Sequence, residues 1–340
     1  MKNYALQHLK TLMVLGVVVN HAWAASQYIT TPQIPTRQVV SWFSNVLIVS
    51  GLPVFFFLSG YFAWKKGEEI LTCKGYAVML RTKVYSLVIP YLSWNLFFIL
   101  FYRSLGGVIP RISERIADFK LDTIWGCFNL LLGITRSPID SPLWFIRDLF
   151  LIFCVMPLIV WFLKRLGWVF LILLTSLMMF ATPVYGRWYS IVMFTFGLWF
   201  ARSSLNFKLF IKWRWLSIPL WVLSSIVLYH LHLGPNIAVG FYFLAIAAWL
   251  GMSGWTNFHS DSFFARYVTP ASFFIYASHF LFCSCLLHTL APHICDSRFK
   301  LMILYGVFIG LGGMVILLFF QLGKRLCPKV MAIISGGRVS

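Results

Sequence analysis

The chain has 340 residues, 60% hydrophobic and 11% charged, with 28 Lys and Arg against 9 Asp and Glu and a formal net charge of +19. So few charged side chains cannot build a water-facing surface for a chain this size, which excludes a soluble globular domain. The cation excess does not call for nucleic acid, because the rule that positive loops stay in the cytoplasm accounts for much of it.

Crossing a hydrocarbon core takes about 20 apolar residues as a helix, and runs of that kind recur along the chain. The alternation of a transmembrane barrel is absent, so the spans are predicted to be helical. Ten are predicted: Lys10 to Tyr28, Val40 to Phe62, Leu80 to Tyr102, Leu143 to Leu163, Gly167 to Thr182, Trp188 to Ala201, Trp215 to Leu231, Ile237 to Met252, Thr269 to Leu290, and Met302 to Leu322. No small-residue cleavage site follows the first, and His21 interrupts it, so it is expected to stay in the mature protein. The run Ile124 to Gly133 is too short to span and is expected to be re-entrant or interfacial.

Ten spans place both termini on one side. Lys and Arg concentrate in alternate connections, with Lys65, Lys66, Lys74, Arg81 and Lys83 in one and Arg202, Lys208, Lys212 and Arg214 in another. Both termini are therefore expected to be cytoplasmic. The expected architecture is an all-α polytopic transmembrane helix bundle of about ten spans, a single domain over residues 1–340.

The seven cysteines form no CxxC pair, so a disulfide framework is not expected, although Cys127 and Cys295 fall on the same outer side and leave one bridge open. His230 and His232 lack the further ligands that a metal needs, and no metal is expected. Phosphate-loop, dinucleotide-binding and metalloprotease motifs are missing.

Polar groups inside apolar spans are costly and mark candidate sites. Lys10 and His21 are eleven residues apart, about 16 Å along one helix face. A deep imidazole can act as a general base on a hydroxyl; it can equally be a histidine hydrogen-bonded between helices. In Gly51-Leu-Pro-Val-Phe-Phe-Phe-Leu-Ser-Gly-Tyr61, small Ser59 and Gly60 permit a close helix contact, and Lys65, Lys66, Arg81 and Lys83 below them can hold a pyrophosphate or simply obey the positive-inside rule. Arg147 and Asp148, in Pro142-Leu-Trp-Phe-Ile-Arg147-Asp148, need partners and point in different directions, so each is expected to contact other helices, for structure or for substrate. Ser272, Tyr276, His279 and Cys283 line one face of the ninth span.

In this order, these segments resemble the bacterial membrane acyltransferase-3 family, which includes O-antigen and other surface-glycan O-acetyltransferases. The shared features are the basic residue eleven before His21, the Phe-Phe-Phe-Leu-Ser-Gly-Tyr run, the basic segment running into Pro90, Leu143-Trp-Phe, and Ser-Phe-Phe-Ile-Tyr-Ala-Ser-His279. The family usually has Arg where this chain has Lys10, and often Arg at Lys83 and Ser86; Lys keeps the charge but not the bidentate fork.

The resemblance implies a multi-pass enzyme of the bacterial inner membrane that moves an acetyl or similar acyl group from cytoplasmic acetyl-CoA to a hydroxyl of a glycan or lipid-linked saccharide. Lys10, Arg81, Lys83 and Ser59 would serve the donor, His21 would be the base, and Arg147 and His279 would orient acceptor or acyl group. A non-enzymatic transporter or flippase of a glycan or lipid-linked intermediate is the alternative, weakened by the absence of an internal repeat.

Overall fold

In the computed structural model, residues 4–26, 35–65, 72–105, 123–180, 189–231, 239–256, 262–282 and 306–337 are described here. Among them every regular element is a helix, as expected of a chain whose backbone must satisfy itself within lipid. Among the described residues four stretches are long and apolar enough to cross a membrane: Gln38–Trp64, Cys73–Ser104, Ser141–Leu166 and Ile309–Leu326. The other predicted spans coincide with shorter or less apolar helices: α1 (Tyr4–Ser26), α8 (Trp168–Phe180), α9 (Tyr189–Arg202), α11 (Arg214–His230), α12 (Val239–Met252) and α13 (Thr269–Phe282).

Three of the helical runs change pitch at one kind of place. Proline lacks an N–H, and its ring collides with the carbonyl four residues back, so the preceding turn can widen or tighten to relieve it, although Pro157 and Pro219 sit in turns that stay α-helical. Pro53 follows a 3₁₀ turn at Val49–Gly51, Pro90 follows a π turn at Val84–Val88, and Pro270 follows a π turn at Phe264–Val268. Each altered turn contains the residue four before its proline. These breaks separate α2 (Pro35–Trp42) from α3 (Leu52–Lys65) and α4 (Cys73–Lys83) from α5 (Ile89–Leu105).

The chain divides into two compact units. One contains residues 1–23, 32–80 and 151–269. Its tightest joint is the crossing of α3 with α9, where a Cβ on Gly60 would lie 2.0 Å from the Phe194 carbonyl oxygen and a Cβ on Gly197 would lie 2.0 Å from that of Phe57. Glycine on both sides lets the two backbones touch, the close contact expected of the Ser59-Gly60 pair. Fully buried Phe57, Phe194 and Phe200 fill the space around the joint. The break before α3 is held by Ser50, whose hydroxyl donates to the Leu47 carbonyl and accepts from the indole nitrogens of Trp221 and Trp249 at 3.0 and 3.2 Å.

The second unit contains residues 24–31, 81–150 and 270–340. Its core joins α5 to α13 and to α14 (Gly313–Leu326) through Trp94, Phe274 and Phe320, and Trp94 donates to the Ile334 carbonyl of α15 (Pro328–Ile334) at 3.0 Å. The short α6 (Ile124–Leu132) lies in this unit, and α7 (Trp144–Leu166) begins in it.

Gly60→Val should cost more than the ~1–3 kcal/mol of ordinary overpacking, because the clash is between Cβ and main chain and no rotamer relieves it. Monodisperse protein recovered in detergent should fall sharply for Gly60→Val and stay at the wild-type level for Ser59→Ala. Equal recovery of all three proteins would show that the joint tolerates separation.

Candidate functional site

α6 is nine residues long, about 13.5 Å, and cannot cross a membrane. Thr123 caps its start, accepting from the Gly126 N–H at 3.0 Å, and Gly133 ends it with φ +67°. That left-handed conformation suits glycine. The chain then leaves the helix, exposed over residues 134–137 and buried from Pro138 to Asp140. Asn129 ties the turn through both amide atoms to Thr135, Ile139 N–H bonds to the Leu130 carbonyl, and Asp140 N–H bonds to Asn95 Oδ1 at 3.1 Å. Asn95 is fully buried and sits ten residues, about 15 Å, from the end of α5. The short helix is thus followed by irregular backbone that runs beside Asn95 of the candidate span Cys73–Ser104. Such backbone occurs at membrane depth only where protein buries it or a cavity adjoins it.

Asp140 is 0% exposed, and neither carboxyl oxygen has a hydrogen-bond partner among the described residues. It precedes the candidate span that starts at Ser141, and burial pushes its carboxyl well above the usual carboxylate range. The buried Tyr91 hydroxyl is likewise without a partner among the described residues, and Arg147, Asp148 and Asp140 all act on it electrostatically. A Cβ on Gly133 would meet Arg147 Nη1 at 2.7 Å and the Tyr91 hydroxyl at 3.2 Å, so the phenol and the guanidinium converge where glycine leaves room.

Arg147 and Asp148 pair with each other, and Arg147 also reaches another element, as expected of it. The long arginine stem folds back, so Nε and Nη2 both donate to Asp148 Oδ1, at 2.8 and 2.7 Å, while Nη1 donates to the Gly133 carbonyl. The guanidinium therefore clasps the carbonyl at the end of α6. Tyr276 holds the other end of the loop by donating to the Pro142 carbonyl. One turn on, His279 is fully buried, with Nδ1 at 2.7 Å from the Tyr276 carbonyl and 3.2 Å from that of Ile275. Carbonyls only accept, so Nδ1 carries the proton and Nε2 presents a lone pair.

Among the predicted residues, Arg147 thus bonds one end of the loop directly, whereas His279 bonds the main chain of its own helix, one turn from the Tyr276 that bonds the other end. Lys10 and His21 share the unbroken α1, Lys10 with its Nζ 4.6 Å over the Phe62 ring and His21 half-buried near the other end. Phe62 is three residues beyond Ser59 on α3, which brings Lys10 and the Ser59 region to one place. Arg81 is exposed, 6.0 Å over the Tyr85 ring, and Lys83 is two positions on, a spacing that sends helical side chains to different faces. Cys283, His232 and Cys295 lie outside the described residues, so the stripe is described only from Ser272 to His279. Tyr91, Asn95 and Asp140 were not foreseen. The available signal was Asp140 itself, one of nine acidic residues in the chain and two positions before the Pro-Leu-Trp-Phe run.

Arg147→Lys should lose about 1–3 kcal/mol of stability, since one ammonium cannot reach both Asp148 and the Gly133 carbonyl. Thermal unfolding in detergent tests this, and a melting temperature equal to wild type would show that the fork is not needed.

A sequence profile described as "Acyltransferase domain" matches residues 3–321. The chain is also 23% identical over 259 residues to the "Succinoglycan biosynthesis protein ExoH" of Rhizobium meliloti (strain 1021), covering 72% of this chain and 64% of that protein. It therefore spans less than two thirds of that relative's length. No solved structure matches. With the profile running over nearly the whole sequence, this chain belongs to the acyltransferase-3 family.

Proposed function

We propose that this protein is an integral membrane O-acyltransferase that moves an acetyl or similar acyl group from cytoplasmic acyl-CoA to a hydroxyl of a cell-surface glycan or its lipid-linked precursor. Family membership over residues 3–321 carries the reading. Similarity to a succinoglycan biosynthesis protein supports a polysaccharide as the acceptor. In this reading the whole chain is one domain of about ten spans in the bacterial inner membrane, both termini cytoplasmic.

The reaction forms one ester and breaks one thioester. His21 takes the proton of the acceptor hydroxyl as its oxygen attacks the acyl carbon, the C–S bond breaks, and the proton passes to the departing thiolate to give free CoA. Lys10, Arg81 and Lys83 offset the donor's phosphate charge, and Ser59 also serves the donor. Arg147 and His279 position the acceptor. The half-buried place of His21 on α1 suits a base that must meet substrate yet keep a neutral imidazole.

In membranes supplied with labelled acetyl-CoA, His21→Ala should lower transfer by about 10² to 10⁴ while the protein still accumulates. Transfer at the wild-type rate would remove His21 from the chemistry. Arg81→Ala should raise the apparent KM for acetyl-CoA more than it lowers kcat, as loss of uniform binding does. An unchanged KM would take Arg81 out of the donor site. A protein that moves glycan across the membrane without consuming the label would be a transporter.

A further inference from the structure

The first clue is an imbalance inside the second unit. The segment from Gly133 to Leu143 meets its backbone requirements at several places, through Asn129, Leu130, Asn95 and the turn from Leu143 N–H to the Asp140 carbonyl. Its most polar side chain does not share in this. Both Asp140 oxygens are fully buried and without a hydrogen bond among the described residues, and so is the Tyr91 hydroxyl. A buried polar group left unmatched costs roughly 1–3 kcal/mol, which is reason to ask what completes it.

The geometry narrows the answer. The Asn95 bond fixes the Asp140 backbone beside α5, Tyr91 stands one turn before Asn95, and Asn95 donates to the Tyr91 carbonyl at 2.8 Å. The Tyr91 hydroxyl and the Arg147 guanidinium both adjoin Gly133. The guanidinium already has its charge matched by Asp148 and one Nη1 hydrogen spent on the Gly133 carbonyl. This leaves no cation to pair with Asp140 among these neighbours. The niche therefore suits a neutral ligand that both donates and accepts, and a vicinal diol of a sugar does both. A carboxyl accepts and, when protonated, also donates, and a phenol does both, so each can meet such a diol.

We infer that Asp140 and Tyr91, held by Asn95 and the Arg147–Gly133 clasp, form a hydroxyl-binding subsite for the saccharide acceptor. The subsite rests on the acyl-transfer reading and adds to it the residues that recognise the sugar. Asp140 and Tyr91 act in binding, whereas Asn95 is a positioning residue.

The test uses membrane vesicles from cells that make the polysaccharide, with radiolabelled acetyl-CoA and, in parallel, succinyl-CoA as donors. Asp140→Asn, Asp140→Leu and Tyr91→Phe are compared with wild type for label in polysaccharide, for donor KM, and for melting temperature in detergent. A buried side chain that bonds nothing among the described residues can be replaced without loss of stability, so Asp140→Leu should melt at or above the wild-type temperature. Transfer by Asp140→Leu should fall about tenfold or more at unchanged donor KM, that by Asp140→Asn, whose amide still donates and accepts, should fall less, and that by Tyr91→Phe several-fold. Wild-type transfer by Asp140→Leu overturns the subsite alone, as does a loss of transfer that only follows a lower melting temperature. Wild-type vesicles that transfer neither acyl group overturn the acyl-transfer reading and the subsite with it.

Discussion

Main-chain amides and carbonyls that leave a helix within a hydrocarbon layer must find partners in the protein, because no water is there to take them. The stretch from Gly133 to Leu143 leaves a helix beside the candidate span Cys73–Ser104, and several of its main-chain groups find side-chain partners. Asn129 and Asn95 are buried amides whose side chains bond the loop backbone, and Tyr276 and Arg147 grasp carbonyls at its two ends. Four side chains from four helices thus serve a segment of eleven residues. Loosening any one would leave a main-chain group open in the unit's interior.

The same constraint explains how far the sequence could be read. Helix type and rough position followed from apolar length alone, since in lipid no other structure competes; the predicted third span, Leu80 to Tyr102, lies inside the helical run Cys73–Ser104. The shortness of Ile124 to Gly133 was enough to call a re-entrant or interfacial element. Where that element turns and what it touches was not legible. Asn95 lies in an apolar helix among Trp, Leu and Phe, and nothing in its local pattern names a partner 45 residues away. The Arg147–Asp148 pairing was missed for a different reason. Helical projection describes where side chains start, and a stem as long as arginine's can bend back past it.

The prolines tell a related story. Pro53, Pro90 and Pro270 are all visible in the sequence, and each was expected within or beside a span, yet the pitch change belongs to the turn before the ring. These turns displace the side chains that follow by a fraction of a turn relative to an ideal helix. The face of Tyr91 and Asn95, just past Pro90, and that of Tyr276 and His279, past Pro270, are set partly by that displacement.

The reciprocal glycine contact of α3 and α9 carries a further meaning for how the molecule moves and how it can change over generations. Each missing side chain faces the other helix's main chain rather than a side chain. No second substitution across the joint can therefore make space for the first, and the two positions are constrained separately instead of drifting as a pair. The helices are also too close to slide over each other, because every step along either axis brings a bulkier residue into the gap. Whatever part of the first unit shifts during a working cycle, α3 and α9 travel as one body, and motion must be taken up by the altered turn before Pro53 or by the connections beyond their ends.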